Sequence, residues 1–461
     1  MPPSHYRYGG GVAESLLHPV SAVALLLAVI TVLLLPRRYA SLPVIGIALL
    51  LPGTQLINIG GMHFFLLRLV NMAALARIIL FRTKVSGDAH ASYMNRIDQA
   101  FVACIAAQAI APCLLFGDVQ VAVYEIGYAI DWIGGYYVFR WLIHDQEDAI
   151  RVLKYLAVLL IPVTVGMIIE QLQMYNIFSA LGGISSLPEV REGKVRSQGV
   201  FAHALMAGSF GAALLPLFLL LWLNRRARFI AVLGVAGSSL MVQTSNSSTP
   251  LLSYVAGVSA LFLFPLRRSM RRVRIALATT LVALHLVMKA PVWFLIARVD
   301  LTGGSSSYHR ADLVDQFIRH FHDWWLIGTN NNGNWGLDMW DVQNQYVNVG
   351  ETGGLLALVF FILVIVRSFS QVGKAMAVVQ QDRRKQWQLW MLGAAIFANV
   401  VGFFGVNYFD QARIGWFLLL AIVSAWTADA MVPASCTEAM AAPAPHNWVP
   451  LFKRRQALRG I

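Results

Sequence analysis

About thirteen stretches of membrane length and apolar composition recur along this chain, centred near residues 27, 50, 71, 107, 130, 162, 211, 235, 257, 282, 357, 397 and 422. A bilayer-spanning helix needs about 20 mostly apolar residues. In hydrocarbon, backbone N–H and C=O groups must be satisfied within a helix or around a closed barrel. These stretches are longer than barrel strands and do not alternate, so they read as helices. The expected fold is all-α: a polytopic membrane protein with about 12–13 transmembrane helices. Composition agrees, since 57% of the 461 residues are hydrophobic and 13% charged, against about 25% charged in soluble domains. The least secure segment is the fifth, around 121–141, which carries Glu125, Asp131 and Arg140.

The formal net charge of +13 invites a nucleic-acid partner, but its distribution argues against one. The basic clusters are Arg37-Arg38, Arg82 and Lys84, Arg225-Arg226 with Arg228, Arg267-Arg268 with Arg271-Arg272 and Arg274, Lys374 with Arg383-Arg384-Lys385, and Lys453-Arg454-Arg455. Each falls in a connection that the helix count places on one side. Positive residues hold cytoplasmic loops in place, so that side reads as cytoplasm, and attraction to anionic membrane lipids accounts for the rest. The N-terminus, a loop at 176–198 and a large loop at 298–348 then lie outside. One Arg7 precedes the first apolar segment and Arg37-Arg38 follow it, the wrong order for a cleaved signal peptide, so an uncleaved helix is expected. Residues 1–432 form one integral membrane domain; 433–461, Ala/Pro-rich and then basic, read as a flexible cytoplasmic tail. Cys104 and Cys113 share one helix and Cys436 sits in the tail, so neither a disulfide nor a metal site is expected.

The external loop 298–348 is a polar island between apolar runs. Ser307 offers an N-cap after a Gly-Gly-Ser-Ser turn. Leu313, Val314, Phe317, Ile318, Phe321, Trp324 and Trp325 then recur at helical spacing, with Asp312, Asp315, Arg319, His322 and Asp323 opposite. This pattern predicts an amphipathic surface helix, with the two tryptophans at headgroup depth. Gly328, an Asn-Gly-rich turn and the run Trp340 to Tyr346 lead into the next apolar segment.

Three segments carry motifs. The first is Arg196-Ser-Gln-Gly-Val-Phe-Ala-His203, followed by Ala207-Gly208. The second is Thr244-Ser245-Asn246-Ser247-Ser248. The third joins Arg310, a Leu-Ile-Gly turn ending at Gly328, a polar pair, and Gly350-Glu351-Thr-Gly-Gly-Leu-Leu356. In order and spacing they resemble the O-antigen ligase and polymerase family of bacterial membrane glycosyltransferases, over roughly 196–369. The chain departs from that family in two places: the usual His-Asn pair is Gln343-Asn344, and the arginine of the second motif is Asn246.

The resemblance implies transfer of a glycan from a polyprenyl diphosphate carrier to an acceptor hydroxyl of a lipid or glycan. It places this at the periplasmic face of the bacterial inner membrane, in surface polysaccharide biosynthesis, with no cofactor. The departing diphosphate needs fixed cations, and arginine bonds phosphate oxygens bidentately. Arg196 and Arg310 are the diphosphate-binding candidates, although interfacial arginines reaching for headgroups look the same in sequence. Arg68, just inside the third segment, is a further candidate. His203, Gln343, Asn344 and Glu351 are the catalytic candidates, with Asp341 beside them. Gln343 takes up no proton near neutral pH, though with Asn344 it can orient a hydroxyl. His203 also reads as a structural helix-end histidine, and Glu351 as a partner for a helix N-terminus. Two other classes stay open: a transporter or flippase for a lipid-linked glycan or anionic solute, and a non-catalytic scaffold of a polysaccharide assembly complex.

Overall fold

The structure is a computed structural model that describes residues 15–81, 94–298 and 307–431. The expected tail 433–461, Arg7, Arg82, Lys84 and the turn before Ser307 lie outside these residues. All thirteen apolar segments fall on helix. The first three are α1 (Pro19–Leu34), α2 (Ser41–Leu50) and α3 (Leu66–Phe81). The fourth is α4 (Arg96–Phe116), and the fifth runs through α5 (Val119–Ala129), a π-helical turn at Ile130–Gly134 and α6 (Gly135–Leu142). Next come α7 (Gln146–Gln173), α8 (Ala204–Trp222), α9 (Arg228–Thr244), α10 (Ser248–Phe262) and α11 (Met270–Val287). The island contributes α12 (Ser307–Arg319) and α13 (Phe321–Trp324). The chain then continues as α14 (Gln345–Val378), α15 (Arg383–Gly402) and α16 (Ala412–Met431). Among the described residues the named strands form two antiparallel hairpins, β1 (Leu56–Ile59) with β2 (Met62–Phe65) and β3 (Glu189–Arg191) with β4 (Lys194–Arg196). The protein is all-α and polytopic.

By length and composition, six described helices can cross a bilayer: α4, α7, α8, Arg225–Thr244, α14 and α16. A bent pair, α10 with Phe264–Val287 at 74°, supplies a seventh. Several other apolar segments are short. The ten residues of α2 reach about 15 Å, half a hydrocarbon core. The fifth segment stays helical because its charges are accommodated. Asp131 lies 2.8 Å from Arg68 Nη2, Arg140 Nε lies 3.3 Å from Asp98 Oδ1, and Glu125 is buried. Charges persist among apolar helices when paired in this way.

The two ends of the bundle differ in chemistry. At one end Asp148 receives both Arg37 and Arg151, Arg267 donates to Gln386, Arg384 to the Leu223 carbonyl and Arg367 to the Arg96 carbonyl. The described basic clusters after α1, α8, α10 and α14 thus gather at a single end. At the centre, α16 is buried without interruption from Ile414 to Thr427.

The island helix forms as expected and is described over Ser307–Arg319, with Ser307 inside it rather than as its cap. Its apolar face closes a small core of Leu313, Phe317, Trp324, Trp335, Met339 and Val347. Trp324 stacks on Phe317 at 3.9 Å and donates Nε1 to the Phe317 carbonyl, so it is buried, whereas Trp325 is half-exposed. The third motif is one joint. Gly328 has φ 81°, and a Cβ there would lie 2.3 Å from the Glu351 carbonyl oxygen. Gly354 adopts φ 72°, ψ −174° and breaks α14, with a Cβ only 2.6 Å from the Leu326 oxygen. That backbone region is essentially glycine-only and costs other residues about 1–3 kcal/mol. Gly354→Ala is therefore expected to destabilise the purified protein by at least that much. An unchanged thermal unfolding midpoint would show that the joint is not needed.

Candidate functional site

The first two motifs meet at the end opposite the basic clusters. Glu170, near the C-terminus of α7, accepts the backbone N–H groups of Gln198 and Gly199 at 3.1 and 2.8 Å. Asn176 donates to the Gly199 carbonyl, and the Ser197 N–H donates to the Thr244 carbonyl at 3.0 Å. The loop from Arg196 to His203 is thus held by several distant segments, and His203 occupies the N-cap position of α8. Asn246 has φ 42° and donates Nδ2 to the Val195 carbonyl at 2.6 Å. Asparagine tolerates this left-handed turn well, and here it ties the second motif to β4. Arg196 Nη2 reaches Ser247 Oγ at 3.2 Å. Its Nη1 bonds both oxygens of Glu189 at 2.9 and 2.8 Å. Glu189 is 56% exposed, so the pair contributes only about 0–1 kcal/mol, and an anionic ligand can displace the carboxylate at little cost.

The turn 403–411, between α15 and α16, contacts the first and third motifs and Thr249, the residue directly after the second. Asn344 Nδ2 donates to the Phe404 carbonyl, the Gln345 N–H donates to the Phe403 carbonyl, and Gln345 Oε1 accepts the Tyr408 N–H at 2.8 Å. Thr249 Oγ1 donates to the Gly405 carbonyl. The Phe409 ring meets His203 edge-on at 6.0 Å. Gln411 Nε2 donates to the Leu51 and Val200 carbonyls.

Beside this turn lies a charged cluster. Asp131 Oδ1 and Oδ2 accept Arg68 Nε and Nη2 at 2.9 and 2.8 Å, and Arg413 Nη2 stands 3.3 Å from Oδ2. The π-helical turn sets Asp131 in this position, and such turns often mark functional sites. Burial pushes the Asp410 carboxyl above its ordinary value; Asp131 reinforces the rise, while Arg413 and His203 oppose it. Asp410 therefore shares one electrostatic neighbourhood with His203 and the cluster.

The remaining candidates cluster around the island joint. Asn344 Oδ1 accepts the Tyr346 and Val347 N–H groups, so this side chain caps α14. Gln343 Nε2 donates to Asp341 Oδ2 at 2.7 Å, and His309 Nε2 lies 3.2 Å from the Asp341 carbonyl. Arg310, next to His309 on α12, is buried at 8% exposure. Glu351 sits two turns inside α14 rather than at its opening, because the helix starts at Gln345. It is buried and accepts Asn332 Nδ2 at 2.9 Å, a local role rather than one at a helix N-terminus. The candidates thus form two groups joined by 403–411: Arg196, His203 and Arg68 in one, Arg310, Asp341, Gln343, Asn344 and Glu351 in the other. Sequence reading missed Glu170, Asp410 and Arg413. For the last two the signal was the polar run Tyr408-Phe-Asp-Gln-Ala-Arg413 at the mouth of the final apolar segment. No family model matches the chain, and no curated protein matches it.

Proposed function

We propose that this chain is a membrane glycosyltransferase, a ligase or polymerase, that moves a glycan from a polyprenyl diphosphate to an acceptor hydroxyl at the external face of the bacterial inner membrane. The observation that carries this reading is the meeting around 403–411 of the first and third motif segments and of Thr249, which directly follows the second, away from the basic end. In the proposed reaction the acceptor oxygen bonds to the anomeric carbon as that carbon's bond to the diphosphate oxygen breaks. Arg196 and Arg310 hold the departing diphosphate. Asp410, whose carboxyl is made more basic by burial, takes the hydroxyl proton, while Gln343 orients the acceptor.

Purified protein in vesicles with lipid-linked glycan is expected to release polyprenyl diphosphate. Its rate should fall as pH drops through the raised Asp410 pKa, because a protonated base cannot accept a proton, and Asp410→Asn should remove that acid limb. A transporter is the second reading. It is favoured by Asp131 held between two arginines in a π-helical turn and by the break in α14 at Gly354, since carriers bind solutes at interrupted helices. Movement of intact lipid-linked glycan, with no bond cleaved, would decide for it.

A further inference from the structure

We propose that the cleft at the α8–α9 turn binds the headgroup of an anionic glycerophospholipid. The cleft, about 680 Å³, is lined by Trp222, Asn224, Arg225, Arg226, Arg228 and Arg384 among others. Among the described residues, none of these four arginines forms an ion pair with a carboxylate. Two of them are instead oriented by carbonyls at the end of α8. Arg384 Nη2 donates to Leu223 O at 2.6 Å, and Arg228 Nε to Trp222 O at 3.4 Å, with its guanidinium 5.4 Å from the Trp222 ring centre. Terminal helix carbonyls lack intrahelical partners and carry partial negative charge, which holds cations in place. A guanidinium has five N–H donors, so each retains donors for a phosphate, which it can bind bidentately.

The ligand's apolar half is specified by what adjoins the cleft. Phe229, Val232, Ala236 and Leu240 are all exposed and spaced by three or four residues, so they form one apolar stripe running up α9 away from the arginines. Trp222 is half-exposed at the mouth. A phosphate head above a lipid-facing track matches a phospholipid better than a free anion. Because Arg384 belongs to α15, the bound head would join the α8–α9 turn to the start of α15. This site is at the basic end and does not depend on the glycosyltransferase reading.

The test is thermal unfolding of the protein in neutral detergent with added phosphatidylglycerol, phosphatidylcholine or inorganic phosphate. A ligand bound only by the folded state raises the midpoint. Phosphatidylglycerol is expected to raise it, with phosphatidylcholine and inorganic phosphate well behind. Arg226→Gln with Arg228→Gln should lose at least half of the rise, and Arg384→Gln alone should lose part. Arg271→Gln with Arg272→Gln, on exposed α11, should keep it. Three results would overturn the proposal: no rise with phosphatidylglycerol, equal loss from the α11 variant, or a full rise with inorganic phosphate.

Discussion

Replacing Asp131 with alanine is expected to cost about 3–5 kcal/mol of stability, the usual penalty for removing one partner of a buried ion pair. Arg68 and Arg413 have side chains only 17% and 11% exposed and converge on the 6% exposed carboxylate. Without it, two cations face each other where water cannot screen them. Gly127 adds to the constraint, because a Cβ there would lie 2.9 Å from Arg68 Nη1, so the arginine has little room to turn away. Removing the 56% exposed Glu189 carboxylate from Arg196, whose own side chain is 12% exposed, should cost less, about 0–1 kcal/mol for Glu189→Ala. Asp131→Ala combined with Arg68→Met and Arg413→Met should recover much of the loss, as apolar replacement of buried ionic groups often does. Thermal unfolding in detergent measures all three. A wild-type midpoint for Asp131→Ala would mean that the cluster is well hydrated.

Asp131 also shows how far sequence reading reached. Apolar length located all thirteen helical segments, and helical spacing located α12. Asp131 itself registered only as a blemish in the fifth segment. Its partners lie 63 residues before it and 282 after, a pairing that no local pattern encodes. Trp324 was expected at the membrane surface because an amphipathic face does not reveal what covers it; Phe317, Trp335 and Met339 do so here. At the candidate site, the motif glycines were legible as motif members, but their reason, carbonyl contacts between Gly328 and Glu351 and between Gly354 and Leu326, needed the fold. Asn246 looked like a lost arginine and turns out to suit a left-handed turn. The turn 403–411 escaped notice because its importance consists of long-range contacts to α8, α10 and α14.

The second large effect concerns catalysis. Each fixed donor to a leaving group typically contributes about 10²–10³ in rate. Arg196 is oriented by Ser247 and an easily displaced Glu189, so Arg196→Ala should remove that contribution without disturbing the fold. Arg310 is buried, so its alanine variant must be accompanied by Arg310→Lys, which keeps the charge but loses the bidentate fork. If Arg310 works as a phosphate clamp, the lysine variant should unfold like the wild type and still transfer slowly.

The most direct test of the glycosyltransferase account is transfer by purified wild type, Arg196→Ala, Arg310→Ala and Arg310→Lys, with lipid-linked glycan as donor and thermal unfolding as the control for integrity. The account predicts polymer or ligated product from the wild type and a loss of about a hundredfold or more from each folded arginine variant. Near-normal product from both Arg196→Ala and Arg310→Ala would contradict it.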